Sequence, residues 1–149
     1  MSIPLESLYQ EVILSHYRRP RHQGELDGAT ARIHMNNPTC GDEIELSVRL
    51  EGDRLMGIGF TGQGCSISQA SASMMSDRLH GLTLDEVARM AESFNALIQG
   101  RIQPAAASEL GDLRALAGVA RFPARVRCAL LAWNALAELT GVGGPRRSR

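Results

Sequence analysis

The chain has no lysine. All sixteen of its basic residues are arginine, and they balance sixteen acidic residues for a net charge of zero at pH 7. Without lysine it can form no internal Schiff base, so it cannot hold pyridoxal phosphate covalently, and the lysine of a phosphate-binding P-loop is excluded too. A general nucleic-acid binder needs a basic excess to neutralise phosphates, which the charge balance denies it. Aromatic residues make up 4% of the chain, too few for a base-stacking platform. No apolar run reaches the roughly 18 residues of a membrane span, and the segment from Met1 to Glu6 lacks a basic stretch followed by an apolar one. These absences lead us to expect a cytoplasmic protein in a reducing compartment, with neither nucleic acid nor membrane as a partner. Three cysteines is an odd number, so a disulfide framework would leave one over. Metal or thiol chemistry is the better expectation.

What remains is ordinary for a folded domain: 149 residues, 44% hydrophobic and 21% charged. We expect one domain over residues 1–149, with 142–149 a flexible tail, because Gly143, Gly144 and the Arg146-Arg147-Ser148-Arg149 end offer nothing to bury. Leu5, Leu8, Tyr9, Val12, Ile13 and His16 recur at helical spacing over 5–19, ahead of Pro20. Three strands follow: Arg32 to Asn37, the alternating Glu43 to Leu50, and Arg54 to Thr61 after a Glu51-Gly52-Asp53 turn. The period then turns helical from Cys65 to His80 with Gly81 closing it. Thr83-Leu84-Asp85-Glu86 is a capping box that opens a helix to about Gln99. Short helical pieces at 105–110 and 112–116 precede a last helix from Pro123 to about Leu139, with Val126, Leu130, Trp133, Leu136 and Ala137 on one face. The fold class is α+β: an N-terminal helix, a three-stranded, mostly antiparallel sheet, and a helical C-terminal half packed on one face.

All three cysteines fall at element ends. Cys40 lies in the Asn37-Pro38-Thr39-Cys40-Gly41-Asp42 turn, Cys65 at the strand-to-helix switch after Gly62-Gln63-Gly64, and Cys128 near the start of the last helix. A thiol at a helix N-terminus meets backbone N–H groups and a dipole that favour its thiolate. Glycines beside it let the backbone approach whatever it binds. Gly41 gives Cys40 and Asp42 the freedom to turn to one site. Three thiolates and a carboxylate supply the four ligands that tetrahedral zinc takes. Thiolates also hold iron–sulfur clusters, where an oxygen ligand makes a more labile site. The residue types leave plainer readings open: small core cysteines for all three, and a turn or cap residue for Asp42. Arg125 and Arg127 flank Cys128, either to offset a negative site or as a solvated helix start. His16, His22, His34 and His80 show no paired spacing and are read as structural or exposed. Met74, Met75 and Trp133 are read as core.

Taken together, the segments Asn37 to Asp42, Gly62 to Ser71 (Gly-Gln-Gly-Cys-Ser-Ile-Ser-Gln-Ala-Ser) and Arg125 to Ala129 resemble the three cysteine motifs of the U-type iron–sulfur cluster assembly proteins: IscU, the NifU N-terminal domain and SufU. The resemblance extends over nearly the whole chain, including Leu8-Tyr9, Ile13-Leu14, His16-Tyr17-Arg18 and Pro20-Arg21. Within the family the pattern is more like the SufU branch. The IscU branch has a histidine before its third cysteine, where this chain has Arg127, and a Leu-Pro-Pro-Val-Lys stretch read by a dedicated Hsp70, where this chain has Phe122 to Val126 and no lysine. The interval from Cys65 to Cys128 is also longer than in IscU, and Gly111 to Arg125 is similar to the SufU pattern.

The resemblance implies a SufE/NifU-like α+β fold and zinc held by Cys40, Asp42, Cys65 and Cys128. It implies a pyridoxal-phosphate cysteine desulfurase of the SufS kind as partner, with Cys40 taking persulfide sulfur and Arg125 at the interface. Downstream partners are other iron–sulfur assembly proteins or apo-proteins. The activity is then that of a sulfurtransferase, though the resemblance leaves open whether the chain is an enzyme in its own right. An alternative is a scaffold that assembles a labile [2Fe–2S] cluster, or holds iron, on the same ligands; another is a structural zinc domain that only binds partners.

Overall fold

The order of elements follows the spacing of apolar and turn-forming residues. A computed structural model describes residues 5–38 and 41–141. The expected tail at 142–149, and Cys40 itself, lie outside them. Helix α1 (Leu5–Arg18) leads into β1 (Ala31–Asn37), β2 (Asp42–Glu51) and β3 (Arg54–Gln63), and then α2 (Ser66–Leu79) and α3 (Leu84–Ile98). Two 3-10 segments, Pro104–Ala106 and Ser108–Arg121, connect to α4 (Pro123–Thr140). The three strands form one sheet in the order β1-β2-β3, and both pairings are antiparallel.

The hairpin at Gly52, whose φ is +62°, sets the register of β2 against β3. Ile44, Leu46 and Val48 point into the core while Glu45 faces out. Alternation in β3 is broken by a register shift, with Arg49 opposite Gly57 but Leu50 opposite Leu55. The shift brings Leu55 into the core beside Ile58 and Phe60, which a strict period of two forbids. The sheet is covered on its second face as well. A methyl group on Gly59 would meet the Gly24 carbonyl, and one on Gly57 would meet the Leu26 side chain, so both glycines are there to let the 24–26 connection lie against β3.

Helix α2 is the central element. Every residue from Ser68 to Ser76 is buried, although four of them are serines. Their hydroxyls are satisfied within the core. Ser71 donates to the Ala129 carbonyl at 2.6 Å, tying α2 to α4, and Ser76 donates to the Ala72 carbonyl at 2.7 Å. Small side chains let α1, α4 and the sheet approach α2 from several sides. The capping box of α3 is present, with Thr83 accepting from the Glu86 N–H and Glu86 accepting from the Thr83 N–H. Residues 108–121 differ from the expected helical pieces. They wind as 3-10 turns interrupted at Gly111, whose φ of +57° and ψ of −127° stop helical propagation. Helix α4 is buried on more than the single face its apolar spacing suggests: Cys128 to Trp133 are all buried, and Trp133 stacks on Phe94 at 4.6 Å.

Candidate metal and thiol centre

Three elements deliver the site. Asp42 opens β2, Cys65 is the N-cap of α2, and Cys128 lies in the second turn of α4. The ligand atoms of these residues all lie within 4.8 Å of one another. Asp42 is 1% exposed and Cys128 is fully buried, while Cys65 is half-buried and forms the open side. A buried carboxylate needs partners to offset its lost hydration. Asp42 finds them at Cys65, whose backbone N–H donates to Oδ1 at 2.8 Å and whose Sγ lies 3.7 Å from Oδ2. Asp42 thereby satisfies the backbone N–H of the N-cap residue of α2.

Gly64 makes this contact sterically feasible. A side chain there would run into the Asp42 carboxylate and the Ser68 hydroxyl. Gly62 serves the neighbouring crossing, because a methyl there would strike the Glu43 carbonyl oxygen. Ser68 lies one turn into α2 and donates to the Cys65 carbonyl at 3.1 Å, fixing the cap. On the other side, Cys128 Sγ lies 3.8 Å from the Ala124 carbonyl.

Arg125 belongs to the same face of α4 as Cys128, three residues earlier. The charge of Cys65 and a hydrogen bond to Cys128 hold its guanidinium above the usual arginine pKa, so it is a permanent cation at the thiols. It is also exposed, as is Phe122 at the start of the helix. Arg127, which the sequence reading grouped with Arg125, is exposed and lines a different surface cavity with Asn37, Pro38 and Asn134.

Two sulfurs and an anionic oxygen, two of the three buried, are a donor set suited to zinc or to an iron–sulfur cluster. The expected fourth donor, Cys40, falls between the end of β1 at Asn37 and the start of β2 at Asp42. The residues on either side of it are tied together, the Gly41 N–H donating to the Asn37 carbonyl at 2.9 Å with Gly41 at a φ of +72°.

The chain matches the NifU-like N-terminal domain family over residues 8–129. It belongs to that family. It is 48% identical over 134 residues to the iron–sulfur cluster assembly scaffold protein IscU of Streptococcus pyogenes serotype M1, covering 90% of this chain and 83% of that one. It is 45% identical over 132 residues to the zinc-dependent sulfurtransferase SufU of Bacillus subtilis strain 168, covering 89% and 88%. The fold is similar, with a TM-score of 0.80 at 28% identity, to the crystal structure of an iron–sulfur cluster assembly scaffold protein for the SUF system from Fervidobacterium islandicum AW-1, over 92% of this chain and 99% of that one.

Against this family background, the sequence motifs led to Asp42, Cys65, Cys128 and Arg125, which the structure places together. Ser68 lies within the Gly62 to Ser71 motif without an assigned role, and its hydroxyl bonds back to the Cys65 carbonyl three residues earlier. From its spacing His16 is expected to be structural or exposed. It is buried, with Nδ1 2.7 Å from the Ser73 Oγ and Nε2 3.1 Å from Asp112 Oδ2. Nothing in helical periodicity announces a bond between residues 96 positions apart. No helix among the described residues is long and apolar enough to cross a membrane.

Proposed function

We propose that this protein is a zinc-dependent sulfur-transfer protein of iron–sulfur cluster biogenesis, accepting persulfide sulfur on Cys40 from a pyridoxal-phosphate cysteine desulfurase. The observation that carries this reading is the convergence of Asp42, Cys65 and Cys128 at one partly open site with a cationic Arg125 at its rim. The 45% identity to a zinc-dependent sulfurtransferase supports it. In this reading Asp42, Cys65 and Cys128 hold zinc together with Cys40. Bound zinc keeps the thiols ionised without a strong base nearby.

The chain's own chemistry is thiol exchange. The Cys40 thiolate attacks the terminal sulfur of the desulfurase persulfide. A new sulfur–sulfur bond forms on Cys40 as the old one breaks, and the desulfurase cysteine leaves as a thiolate that takes up a proton. No net oxidant is needed, because the sulfane sulfur moves from one thiolate to another. Arg125 is exposed beside the thiols and, through its planar fork, suits a carboxylate of the partner. The persulfide then passes to a downstream assembly protein or apo-protein.

A second reading, a scaffold that assembles a [2Fe–2S] cluster on the same ligands, is favoured by the 48% identity to a protein described as a scaffold. Metal analysis of the purified protein, together with desulfurase turnover in its presence, separates the two. Sulfur transfer predicts one zinc at the thiol centre of each chain and a desulfurase stimulated by the protein. The scaffold reading predicts a visible cluster spectrum after anaerobic reconstitution, without stimulation.

A further inference from the structure

Three of the four histidines gather at the far end of α2 from the thiols. His80 is the C-cap of α2, and Asp77 precedes it by three residues. His22 comes from the connection after α1. Its Nε2 lies 3.6 Å from Asp77 Oδ1, and its ring stacks on that of His80 at 5.7 Å with 19° between the planes. His16, Asp77, Arg78, His80, Leu110 and Asp112 line an adjoining cavity of about 400 Å³.

The scaffolding around His22 is specific. Among the described non-glycine residues, only His22 has a positive φ, +61°. Its carbonyl accepts from the Phe60 N–H at 3.1 Å, and the Phe60 carbonyl accepts from the Gly24 N–H at 2.7 Å, so the segment is pinned to β3. One residue earlier, the Arg21 N–H donates to Ser73 Oγ at 2.8 Å, which pins it to α2 as well. A backbone held on both sides in a sparsely populated conformation sets the imidazole with Nε2 toward Asp77 and its face against His80.

We propose that His22, Asp77 and His80 form a second, surface site for a divalent first-row transition cation such as zinc or iron(II). Two imidazoles and one carboxylate are a recognised donor set for such ions, with the remaining positions left to water. Ligands about 2.1 Å from a tetrahedral ion stand about 3.4 Å apart, which is close to the His22–Asp77 separation. The rings are stacked in the structure, so the third bond requires the exposed His80 side chain to turn its ring edge toward Asp77. The C-terminal end of α2 favours a cation. The arginines near this cap are already engaged: Arg78 Nε donates to the Glu109 carbonyl at 2.7 Å, and Arg54 Nη1 donates to the Gly81 carbonyl at 2.8 Å. His16 is not a ligand: both of its ring nitrogens are engaged, by Ser73 and Asp112. At 1.5 Å per residue, α2 separates this site from Cys65 by about 20 Å, so the two sites bind independently. The inference does not rest on sulfur transfer; its test takes from the proposed function only that the thiol centre binds zinc.

The test uses the untagged full chain with its thiol centre already loaded with zinc. Zinc, and cobalt(II) in a parallel series, are titrated in by calorimetry, while the histidine ring nitrogens are followed by NMR. A second equivalent is expected, shifting the ring signals of His22 and His80 but not those of His16 and the exposed His34. His22→Asn, chosen because asparagine tolerates a left-handed backbone, and separately His80→Gln, should each weaken that equivalent about tenfold or more with the first zinc retained. The absence of a second equivalent up to about 1 mM zinc overturns the proposal, as does one that persists in the double variant or that shifts the His16 ring instead.

Discussion

Asp42 holds Cys65 at two points: Oδ1 accepts the Cys65 backbone N–H at 2.8 Å, and Oδ2 lies 3.7 Å from the Cys65 sulfur. One buried carboxylate therefore fixes both the cap of α2 and the position of its thiol. Asp42→Asn keeps an acceptor for the N–H but removes the anionic ligand, whereas Asp42→Ala removes both. We expect Asp42→Ala to lower the stability of the metal-free protein by about 1–3 kcal/mol, the cost of an unsatisfied buried donor, and Asp42→Asn to lower it less. Both should weaken zinc binding about tenfold or more. Denaturant titration of the metal-free variants and competition with a chelating dye measure the two effects separately. Wild-type zinc affinity in Asp42→Asn would remove Asp42 from the ligand set.

Gly64→Ala places a methyl group against the Asp42 carboxylate and the Ser68 hydroxyl. Because the contact is with the site itself, the substitution should destabilise the fold by about 1–3 kcal/mol and weaken zinc binding together. Gly118→Ala is the comparison. Its added methyl meets only the end of the Arg121 side chain at 3.7 Å, and it should change stability by less than about 0.5 kcal/mol. Thermal melts with and without chelator check both.

Arg125→Ala should reduce stimulation of a cysteine desulfurase far more than it reduces zinc content. Arginine cannot ligate zinc, and this one is exposed at the rim of the thiols. Arg125→Lys keeps the charge but not the planar fork, and should recover part of the stimulation. Zinc content by elemental analysis and desulfurase turnover with cysteine as substrate give the comparison. Loss of zinc as complete as in a cysteine variant would assign Arg125 to the integrity of the site instead.

The capping box of α3 predicts a pH dependence. Bonds from the Thr83 backbone and then its hydroxyl hold the Glu86 carboxyl below the usual glutamate value. A depressed folded-state pKa adds stability that is present above the unfolded value and is lost as the pH falls through the folded one. Thr83→Ala should cost about 1 kcal/mol at pH 7. The gap between variant and wild type should narrow in acid, because Glu86 then no longer contributes to it. Denaturant melts at neutral and acidic pH check the sign.

Much of this architecture is legible in the order of residues. The alternation in β2, the Gly52 turn and the Thr83–Glu86 box are local signals with one physical meaning each, and each element lies where its signal places it. The boundaries of β3 and its phase are less readable. The bulge near Met56 that carries Leu55 into the core arises from pairing with β2, which no window along β3 contains. Helix α2 shows why periodicity weakens for central helices: with serines and alanines buried on all sides, it has no polar face to contrast with an apolar one. The 3-10 course of 108–121 depends on the φ of Gly111, which the sequence offers only as a glycine. At the site, three motifs far apart in sequence pointed to Asp42, Cys65 and Cys128, while the support from Ser68 and the partners of His16 depend on packing between helices.

The central claim is that sulfur is accepted on Cys40. The most direct measurement incubates the zinc-loaded protein with a pyridoxal-phosphate cysteine desulfurase and cysteine, alkylates the thiols, and locates added sulfur by peptide mass spectrometry. The account predicts a mass increase of one sulfur on the peptide containing Cys40, absent from Cys40→Ala and dependent on the desulfurase. Added sulfur on Cys65 or Cys128 at the wild-type rate in Cys40→Ala, or no persulfide on any of the three, would contradict it.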